Sequence, residues 1–285
     1  NTVFSCTGDL GWNKNRRFHH IYFGEYLTST TDTLDGNATL LKYVSNGSED
    51  DWSYGGYYTI FDETYNAELG HVSSVIDQKG IGWDVSKRWG FRDQKLNRIS
   101  FAANGYSINH MDGSTYQNGY VIRAGARYID GKSFALSYNK STWEQFHDVA
   151  YDITTYWNSN SIKKVGLSQI TCGKKAGGPL LYTLISQNFQ LSENSALQLS
   201  YEREKIGSPS PYADTRSQFI ATLNYDLTDE KSIGGRLVDR NGNRNLYMIY
   251  RQQVRRGTDI YFIYGDPNAE KTTGKLSIKL VKPMK

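Results

Sequence analysis

The sequence contains no long apolar run of the kind that forms a membrane-spanning helix. Such a helix needs about 20 consecutive apolar residues, whereas only 38% of the 285 residues are hydrophobic. Proline is also scarce, with 5 residues. Because proline removes a hydrogen bond from a β-ladder, its scarcity is compatible with many long, uninterrupted strands. The low hydrophobic content, taken alone, predicts a soluble protein.

A large excess of one charge is lacking as well. The chain has 33 Lys and Arg residues and 29 Asp and Glu residues, which gives a net charge of +4. This small and dispersed excess is not the basic patch of a nucleic-acid-binding protein, so we expect no nucleic-acid partner. The sequence begins without a secretory signal peptide, which indicates a mature chain or an excised part.

Cysteine is limited to Cys6 and Cys172, which are far apart in the sequence. In an oxidising compartment the two could form one disulfide. Alternatively, both could remain reduced within a wall of strands. The sequence does not decide between these alternatives.

Aromatic residues and glycine, by contrast, are abundant. The chain has 22 Tyr, 11 Phe, 6 Trp and 27 Gly residues. This composition favours strands that are connected by glycine-containing turns. A membrane β-barrel has modest overall hydrophobicity because only every second residue faces lipid. The composition therefore fits such a barrel in spite of the low hydrophobic content.

Apolar and polar residues alternate along several segments, as expected for strands with two different faces. In residues 196–202, Leu197, Leu199 and Tyr201 share one face, and the other face is polar. Similar alternation occurs in residues 122–128, 149–157, 219–227 and 276–281. Several segments reach nine or more residues, and a strand that crosses a bilayer at about 45° needs roughly 9 to 11.

This pattern predicts an all-β fold, namely a transmembrane antiparallel up-and-down β-barrel of about 12–16 strands. We expect residues 1–285 to form a single outer-membrane barrel domain. A soluble sandwich or propeller also shows alternation and is the alternative fold.

If the apolar face of each strand contacts lipid, the ionic residues of the other face point into the lumen. They carry both signs of charge, so they could pair across a narrow lumen or line a water-filled one. Alternatively, they only solvate or brace the wall. The predicted lumen-lining residues are Arg123, Arg127, Asp152, Glu202, Asp226 and Lys279.

Aromatic residues cluster near the ends of the predicted strands. Amphipathic rings at the two headgroup levels form the aromatic girdles of membrane barrels. The alternative explanation is the ordinary preference of Tyr and Trp for strands. The predicted girdle residues are Trp52, Tyr57, Trp83, Trp89, Trp143, Tyr156, Trp157 and Tyr264.

Turn-forming residues divide the chain at hairpin distances. Asp130-Gly131 and Asn241-Gly242 are the strongest two-residue hairpin motifs. Further turns are predicted at residues 13–15, 93–95, 192–194 and 229–231, and longer loops at 46–51, 110–119, 158–164, 172–179 and 206–216. Short turns on one side and longer loops on the other are typical of outer-membrane barrels.

Catalytic motifs are weak throughout the sequence. The histidines are His19, His20, His71, His110 and His147. His147 is followed by Asp148, and Ser137 and Ser141 are nearby in the sequence. Neighbours on a strand point to opposite faces, so His147 and Asp148 are not expected to act together, and a metal shared by His19 and His20 is not expected either. We predict no enzyme activity, no metal site and no cofactor.

Three other segments have superficial similarity to functional motifs. Residues 239–243 begin like a calcium loop but lack its later glycine and glutamate, so a hairpin turn is predicted. Residues 173–178 are rich in glycine and lysine but lack the Walker spacing. Glu144 and Asp148 could be considered a glycosidase pair, although paired carboxylates are also common in barrel interiors.

Several segments together resemble a known family. Tyr57–Phe61, followed by Asn66–Val72, is similar to a "strand, then Asn-x-x-Leu-Gly-Phe-Val" segment, and Gly177-Gly178-Pro179 follows later. Arg251–Gly265 is similar to a closing hairpin of the pattern "Tyr-Arg-Pro-Gly-Ser-Asp-Leu-Phe-Leu-Val-Tyr". The family is an outer-membrane β-barrel domain of unknown function, often found C-terminal to a carbohydrate-binding-like module.

The resemblance covers about residues 50–270 in order and implies a barrel in the cell envelope, without an established activity. Two features depart from it. No carbohydrate-binding-like module is present, and the sequence ends in Lys282-Pro283-Met284-Lys285, whereas barrels commonly end in an aromatic residue. A clipped or tagged C-terminus would explain the second departure.

The sequence therefore predicts a bacterial outer-membrane β-barrel that acts as a channel or porin, or as the membrane scaffold of a larger envelope complex. Its expected partners are the lipid bilayer and, for a scaffold, an envelope protein or a plug in the lumen. The alternatives are an outer-membrane hydrolase acting on lipid or glycan and a soluble β-rich binding protein.

Overall fold

The computed structural model of the protein describes residues 2–14, 17–30, 33–47, 50–62, 77–92, 94–143, 145–255 and 258–282. These residues form strands, turns and bends, and none of them is helical. Accordingly, a helix long and apolar enough to cross a membrane is not found in the described ranges. The predicted all-β fold class is confirmed.

The first nine strands extend from Thr2 to Trp157. They are β1 (Thr2–Lys14), β2 (Arg17–Thr30), β3 (Thr33–Asn46), β4 (Trp52–Phe61), β5 (Gln78–Gly90), β6 (Leu96–His110), β7 (Thr115–Tyr128), β8 (Ser133–Trp143) and β9 (Phe146–Trp157).

The remaining eight strands occupy the second half of the chain. They are β10 (Gly166–Lys175), β11 (Gly178–Ser192), β12 (Ser195–Ile206), β13 (Asp214–Thr228), β14 (Lys231–Arg240), β15 (Asn243–Arg255), β16 (Thr258–Tyr264) and β17 (Leu276–Val281).

Successive strands pair antiparallel with one another, which gives an up-and-down order. For example, β1 pairs with β2 from Thr2↔Ser29 to Lys14↔Arg17, and β2 pairs with β3 in the same antiparallel way. Within the described ranges, the seventeen strands belong to one sheet.

The predicted count of about 12–16 strands is too low, because the described residues alone form seventeen. The alternation in Thr2–Asn46 is interrupted by charged residues such as Asp9 and Glu25, yet this segment forms three strands of 13 or 14 residues. Backbone hydrogen bonds, which do not depend on side-chain polarity, define these strands.

The hairpin predicted at Asn241-Gly242 is confirmed, since these two residues separate β14 from β15. Both have positive φ, 50° and 86°, as a two-residue type I′ turn requires. The Asp239 carboxylate accepts the Gly242 N–H at 2.9 Å. The Asp130-Gly131 turn predicted between β7 and β8 is confirmed in position, but the connection spans residues 129–132, in which only Gly131, at φ 83°, has positive φ.

Three of the predicted loops are shorter than expected. Thr115 already pairs with Asn109 on β6, so residues 115–119 belong to β7. Residues 172–175 belong to β10, and β13 begins at Asp214. Their polar side chains suggested loops, but the backbone continues the antiparallel ladder. The loop predicted at 158–164 is confirmed in outline. Within the loop predicted at 46–51, residues 47, 50 and 51 lie outside the strands, and residues 48 and 49 lie outside the described ranges.

Contacts within the chain define two compact units. Unit 1 comprises Asn1–Tyr128, Ala135–Tyr151 and Gly173–Gly177, and unit 2 comprises Ile129–Phe134, Asp152–Cys172 and Gly178–Lys285. The single domain expected for residues 1–285 stays a prediction.

Few apolar side chains are buried in either unit. Among the described residues they are Ala38, Ala103, Ala176, Ile206 and Val238, of which three are alanine. The largest side chain that is fully buried in the described ranges is that of Ser45. A soluble domain gains much of its stability by burying large apolar side chains, each of which contributes about 1.5–3 kcal/mol. The described residues contain no core of that kind.

Candidate functional site: the two faces of the strands

In unit 2, one face of the strands carries exposed apolar side chains. Tyr201 on β12 pairs with Phe219 on β13, and the two rings are 41% and 37% exposed. Leu223 on the same face pairs with Leu197 and is also exposed. We call this side of the unit 2 strands its apolar face, and the opposite side its polar face.

The polar face of the same strands carries ionic and amide groups. Glu202 pairs with Gln218, which accepts a hydrogen bond from the Arg240 guanidinium at 2.6 Å. Glu202 and Gln218 are only half exposed, although their apolar neighbours Tyr201 and Phe219 are exposed. A cleft of about 320 Å³ opens here, lined by side chains that include Glu202, Arg240 and Arg216.

Asp152 is the centre of a hydrogen-bond network on the polar face of β9 and β10. Its carboxylate accepts bonds from Thr154 Oγ1 at 2.8 Å, Gln169 Nε2 at 2.7 Å and Thr171 Oγ1 at 3.0 Å. The neighbouring residues Tyr151 and Ile153, which point to the other face, are exposed. On β9, as on β12 and β13, exposed apolar side chains therefore alternate with less exposed polar ones. We call this arrangement inverted polarity.

The last strands also have one apolar and one polar face. Leu276, Ile278 and Leu280 on β17 are 71%, 68% and 65% exposed. Lys279, which alternates with them, pairs with Tyr261 on the polar face. On the preceding strands, the Arg251 guanidinium binds the Asp259 carboxylate at 3.0 Å.

In unit 1, we define the apolar face as the side of β5–β7 that carries Ile81, Ile99 and Ile122, all of which are exposed. Ile122 pairs with Ala103. Arg123 pairs with Ala102 and therefore lies on the opposite, polar face.

The six residues predicted to line a lumen all lie on a polar face. Arg123 and Arg127 lie on that of unit 1, and Asp152, Glu202, Asp226 and Lys279 lie on that of unit 2. Asp226 pairs with Ser232, whereas its neighbour Tyr225 pairs with Ile233 on the apolar face. That these faces line a lumen stays a prediction.

Trp52 and Trp89 lie near strand ends, as predicted for girdle residues. Trp52 is the first residue of β4 and pairs with Lys87 of β5. The two indole centroids are 6.4 Å apart, and the Lys87 ammonium lies 5.5 Å and 5.1 Å from them. An ammonium over aromatic faces is a cation–π contact.

Two further girdle candidates also lie at strand ends. Trp143 is the last residue of β8, and its ring lies 6.4 Å from that of Phe146 across the turn. Tyr264 ends β16, where it pairs with Met248 and Leu276 on the apolar face.

Tyr57 and Trp83 do not fit the girdle prediction. Tyr57 lies within β4 on the polar face, and its ring covers Gly82. Trp83 lies on the apolar face but in the middle of β5, where its indole is 2.7 Å from the position that a Cβ of Gly105 would occupy. In both cases the ring covers a glycine on the next strand, so cross-strand packing explains its position.

Tyr156 and Trp157 are the last two residues of β9. They point to opposite faces, since they are consecutive in a strand. The Trp157 indole covers Gly166 and donates its N–H to Gln187, which pairs with Leu199 on the apolar face. Of the two, only Trp157 is therefore placed as a girdle residue should be, and Tyr156 lies on the polar face.

The turns carry charged groups at the strand ends. Lys132 binds the Asp130 carboxylate at 2.8 Å, and hydrogen bonds from the Lys132 side chain and backbone lower the pKa of Asp130. The same pairing raises the pKa of Lys132. Hydrogen bonds from the side chain and backbone of Ser114 likewise lower the pKa of Asp112.

The histidines do not assemble a catalytic group with the residues proposed for it. His147 shares a hydrogen bond of 3.0 Å with the Thr142 hydroxyl. Asp148 instead accepts the Ala176 N–H at 2.7 Å. His19 stacks on Trp12, whereas His20 pairs with Asp9 on the other face. His71 and Glu144 lie outside the described residues.

Neither a metal-binding cluster nor a disulfide forms among the described residues. Among the described residues, no three or more His, Cys, Asp or Glu side chains are grouped so that they could hold a metal ion. Cys6 and Cys172 are free, exposed thiols, so the disulfide alternative is not realised. The segment that resembled a calcium loop is the hairpin turn described above, in which Asp239 also binds Arg244 at 3.0 Å.

Sequence reasoning missed two arginines on the polar face of unit 1. Arg88 on β5 pairs with Ser100, and Arg98 on β6 pairs with Arg127. Alternation of Asp84, Ser86 and Arg88 could have indicated this face, but the intervening Lys87 obscures the pattern.

No family model matches the chain, and no curated protein is similar enough to count as a relative. The resemblance to an outer-membrane barrel domain thus stays a prediction. Of the segments that carry it, Asn66–Val72 lies outside the described residues.

Proposed function

We propose that the protein is a bacterial outer-membrane β-barrel that acts as a passive channel. The observation that supports this proposal is the inverted polarity of the strands. Exposed apolar side chains such as Phe219 alternate with half-buried ionic and amide groups such as Glu202 and Gln218. Membrane barrels have this arrangement, with lipid outside and polar groups inside.

The energetics of the apolar face favour a bilayer over water. Leu276, Ile278 and Leu280 are each about two-thirds exposed. Each such side chain in water forgoes most of the roughly 1.5–3 kcal/mol that burial would contribute. Hydrocarbon contact supplies that contribution without a protein core, and the described residues contain little apolar core to supply it otherwise.

The polar face favours a water-filled interior over a dry one. It carries carboxylates, guanidinium groups and ammonium groups on many strands, for example Asp226, Arg236 and Lys279. Charged groups are costly to desolvate unless each is paired and hydrogen-bonded. Water, or a polar plug from another chain, satisfies them at the lowest cost.

Planar-bilayer recording tests the channel. The purified full chain is refolded in detergent, added to a lipid bilayer, and compared with the same preparation heat-denatured beforehand. We expect discrete conductance steps with the folded chain and none with the denatured one. Heat-dependent migration on a gel verifies folding independently of conductance.

Two other results would contradict the channel proposal, each in favour of a different alternative. A folded, detergent-dependent protein without conductance would support the scaffold alternative, in which a partner or plug fills the interior. A chain that remains monomeric and folded without detergent would support a soluble binding protein and overturn membrane insertion.

The hydrolase alternative has less support. It depends on His147, whose ring contacts Thr142, while the carboxylate of Asp148 is bound to the Ala176 amide. We expect no turnover of lipid or glycan esters and glycosides. Turnover that is lost in His147→Ala would contradict this expectation.

A further inference from the structure

Four arginines lie on the polar face of unit 1, and three of them are neighbours across the strands. Arg88 pairs with Ser100, and Arg98, two residues before Ser100, pairs with Arg127. Paired residues lie about 4.5–5.5 Å apart between Cβ atoms, and diagonal neighbours about 7–8 Å. Arg88, Arg98 and Arg127 thus form a diagonal row across β5, β6 and β7. Arg123 lies on the same face, four residues before Arg127.

We name these four residues the arginine cluster. Like charges placed directly opposite each other, as in the Arg98↔Arg127 pair, are unfavourable in a sheet. An oxyanion bound at Arg98 would offset this repulsion.

The Asp50 carboxylate lies beside the cluster, where it accepts the N–H of Gly90, the residue that pairs with Arg98. In the described residues, the side chains of Arg88, Arg98 and Arg123 form no ion pair and no hydrogen bond. In unit 2, some arginines on the polar face do have oxygen acceptors, for example Arg251 with Asp259 and Arg240 with Gln218.

A cavity of about 530 Å³ adjoins the cluster. Its lining includes two guanidinium groups, those of Arg88 and Arg98, and one carboxylate, that of Asp51, which lies 4.0 Å from the Arg17 guanidinium. The Ser53 and Ser86 hydroxyls add further hydrogen-bonding groups. The volume lies within the range of small-molecule sites, about 300–1,000 Å³.

We infer that the arginine cluster is a binding site for a multivalent oxyanion, of the phosphate or polycarboxylate type. Guanidinium groups recognise such anions through two parallel N–H···O bonds, and several of them together favour more than one negative charge. The inference deepens the proposed channel by assigning it an anionic solute, and it rests on that proposal only for transport. Binding itself does not require a pore.

Titration calorimetry on the full chain in detergent tests binding. Inorganic phosphate and citrate are the two probes, which distinguish the two oxyanion types. We expect saturable binding of at least one probe, weakened about ten-fold or more in Arg88→Gln/Arg98→Gln. Arg236→Gln is the matched control because it removes an arginine from the polar face of unit 2, and it should change affinity less than two-fold.

A conservative variant guards against a folding defect. Arg88→Lys/Arg98→Lys keeps the charge but loses the paired donors, so its affinity should fall between those of the wild type and the glutamine variant. Gel migration before and after heating verifies that each variant is folded. Absence of binding for both probes, or an equal loss in Arg236→Gln, would overturn the inference.

Reversal potentials across a KCl gradient separate this inference from the channel proposal. We expect anion selectivity that falls in Arg88→Gln/Arg98→Gln. A conducting channel that selects cations and binds neither probe would overturn the oxyanion site and leave the channel intact. Probe binding without any conductance would support the oxyanion site and overturn the channel.

Discussion

Tyr201 on β12 lies directly opposite Phe219 on β13, and both rings are exposed. One residue further along, Glu202 lies opposite Gln218 on the other face, and both are half-buried. A soluble sheet would reverse this polarity, because water stabilises charged groups and excludes rings. The relationship between these two pairs is the physical basis of the proposed membrane location.

Charge placed on the apolar face should destabilise the protein in lipid. Ile185 is exposed and pairs with Tyr201, and Ser186 follows it on the polar face. We expect Ile185→Arg to lower the free energy of unfolding by about 2–4 kcal/mol if the residue lies at the bilayer midplane. Urea unfolding in lipid vesicles measures the effect.

Ser186→Arg is the matched control. It adds the same side chain one residue away on the polar face, and it should cost less than about 1 kcal/mol because water or nearby polar groups solvate the guanidinium. Equal tolerance of both variants would indicate that Ile185 faces water.

Glycine at position 82 should be required for packing. Gly82 pairs with Tyr57, whose ring occupies the space that a Cβ would fill. We expect Gly82→Ala to destabilise the protein by about 1–3 kcal/mol, because the ring must shift from its position. The midpoint of urea unfolding measures this change.

Gly235→Ala provides the comparison for Gly82→Ala. No atom lies within 4 Å of a Cβ built at Gly235. Alanine there should be neutral or stabilise by up to about 1 kcal/mol, since glycine loses more backbone entropy on folding. If both variants behave alike, the Tyr57 ring does not restrict position 82.

The type I′ turn between β14 and β15 should depend on the backbone of Gly242. Its φ of 86° is unfavourable for residues with a Cβ, although nothing lies within 4 Å of that Cβ. We expect Gly242→Ala to cost about 1–2 kcal/mol. Gly274, which is equally open, should tolerate alanine with little change. Thermal unfolding in detergent would contradict the account if it ranked the two variants in the opposite order.

The strands could be predicted where alternation is regular, and less well elsewhere. Residues 196–202 predict β12 because side chains of a strand repeat every two residues. Asp9 and Glu25 obscured the first strands, since charge interrupts the pattern without interrupting the ladder. The count was therefore lower than the seventeen strands of the described residues.

The faces of the candidate site were predictable, whereas its contacts were not. Alternation alone placed Glu202 and Lys279 on a polar face. It could not place Tyr57 and Trp83, whose positions depend on the glycine that the cross-strand register puts opposite each ring. The neighbourhood of Arg98 and Arg127 likewise depends on register, which a single sequence does not specify.

The most direct test of the membrane proposal uses Cys172, which is a free and exposed thiol on β10. Its neighbour Thr171 binds Asp152 on the polar face, so Cys172 points to the apolar face. A nitroxide is attached to Cys172 in Cys6→Ser protein, and to position 171 in Thr171→Cys/Cys172→Ser/Cys6→Ser protein. Both are then reconstituted in lipid vesicles.

Collision of the nitroxide with oxygen, which concentrates in lipid, is compared with collision with a water-soluble nickel chelate. At Cys172 we expect frequent collision with oxygen and protection from nickel. At position 171 we expect the opposite, because water reaches the polar face. A nitroxide at Cys172 that collides freely with nickel in lipid vesicles would show that the apolar face lies in water, and would contradict the account.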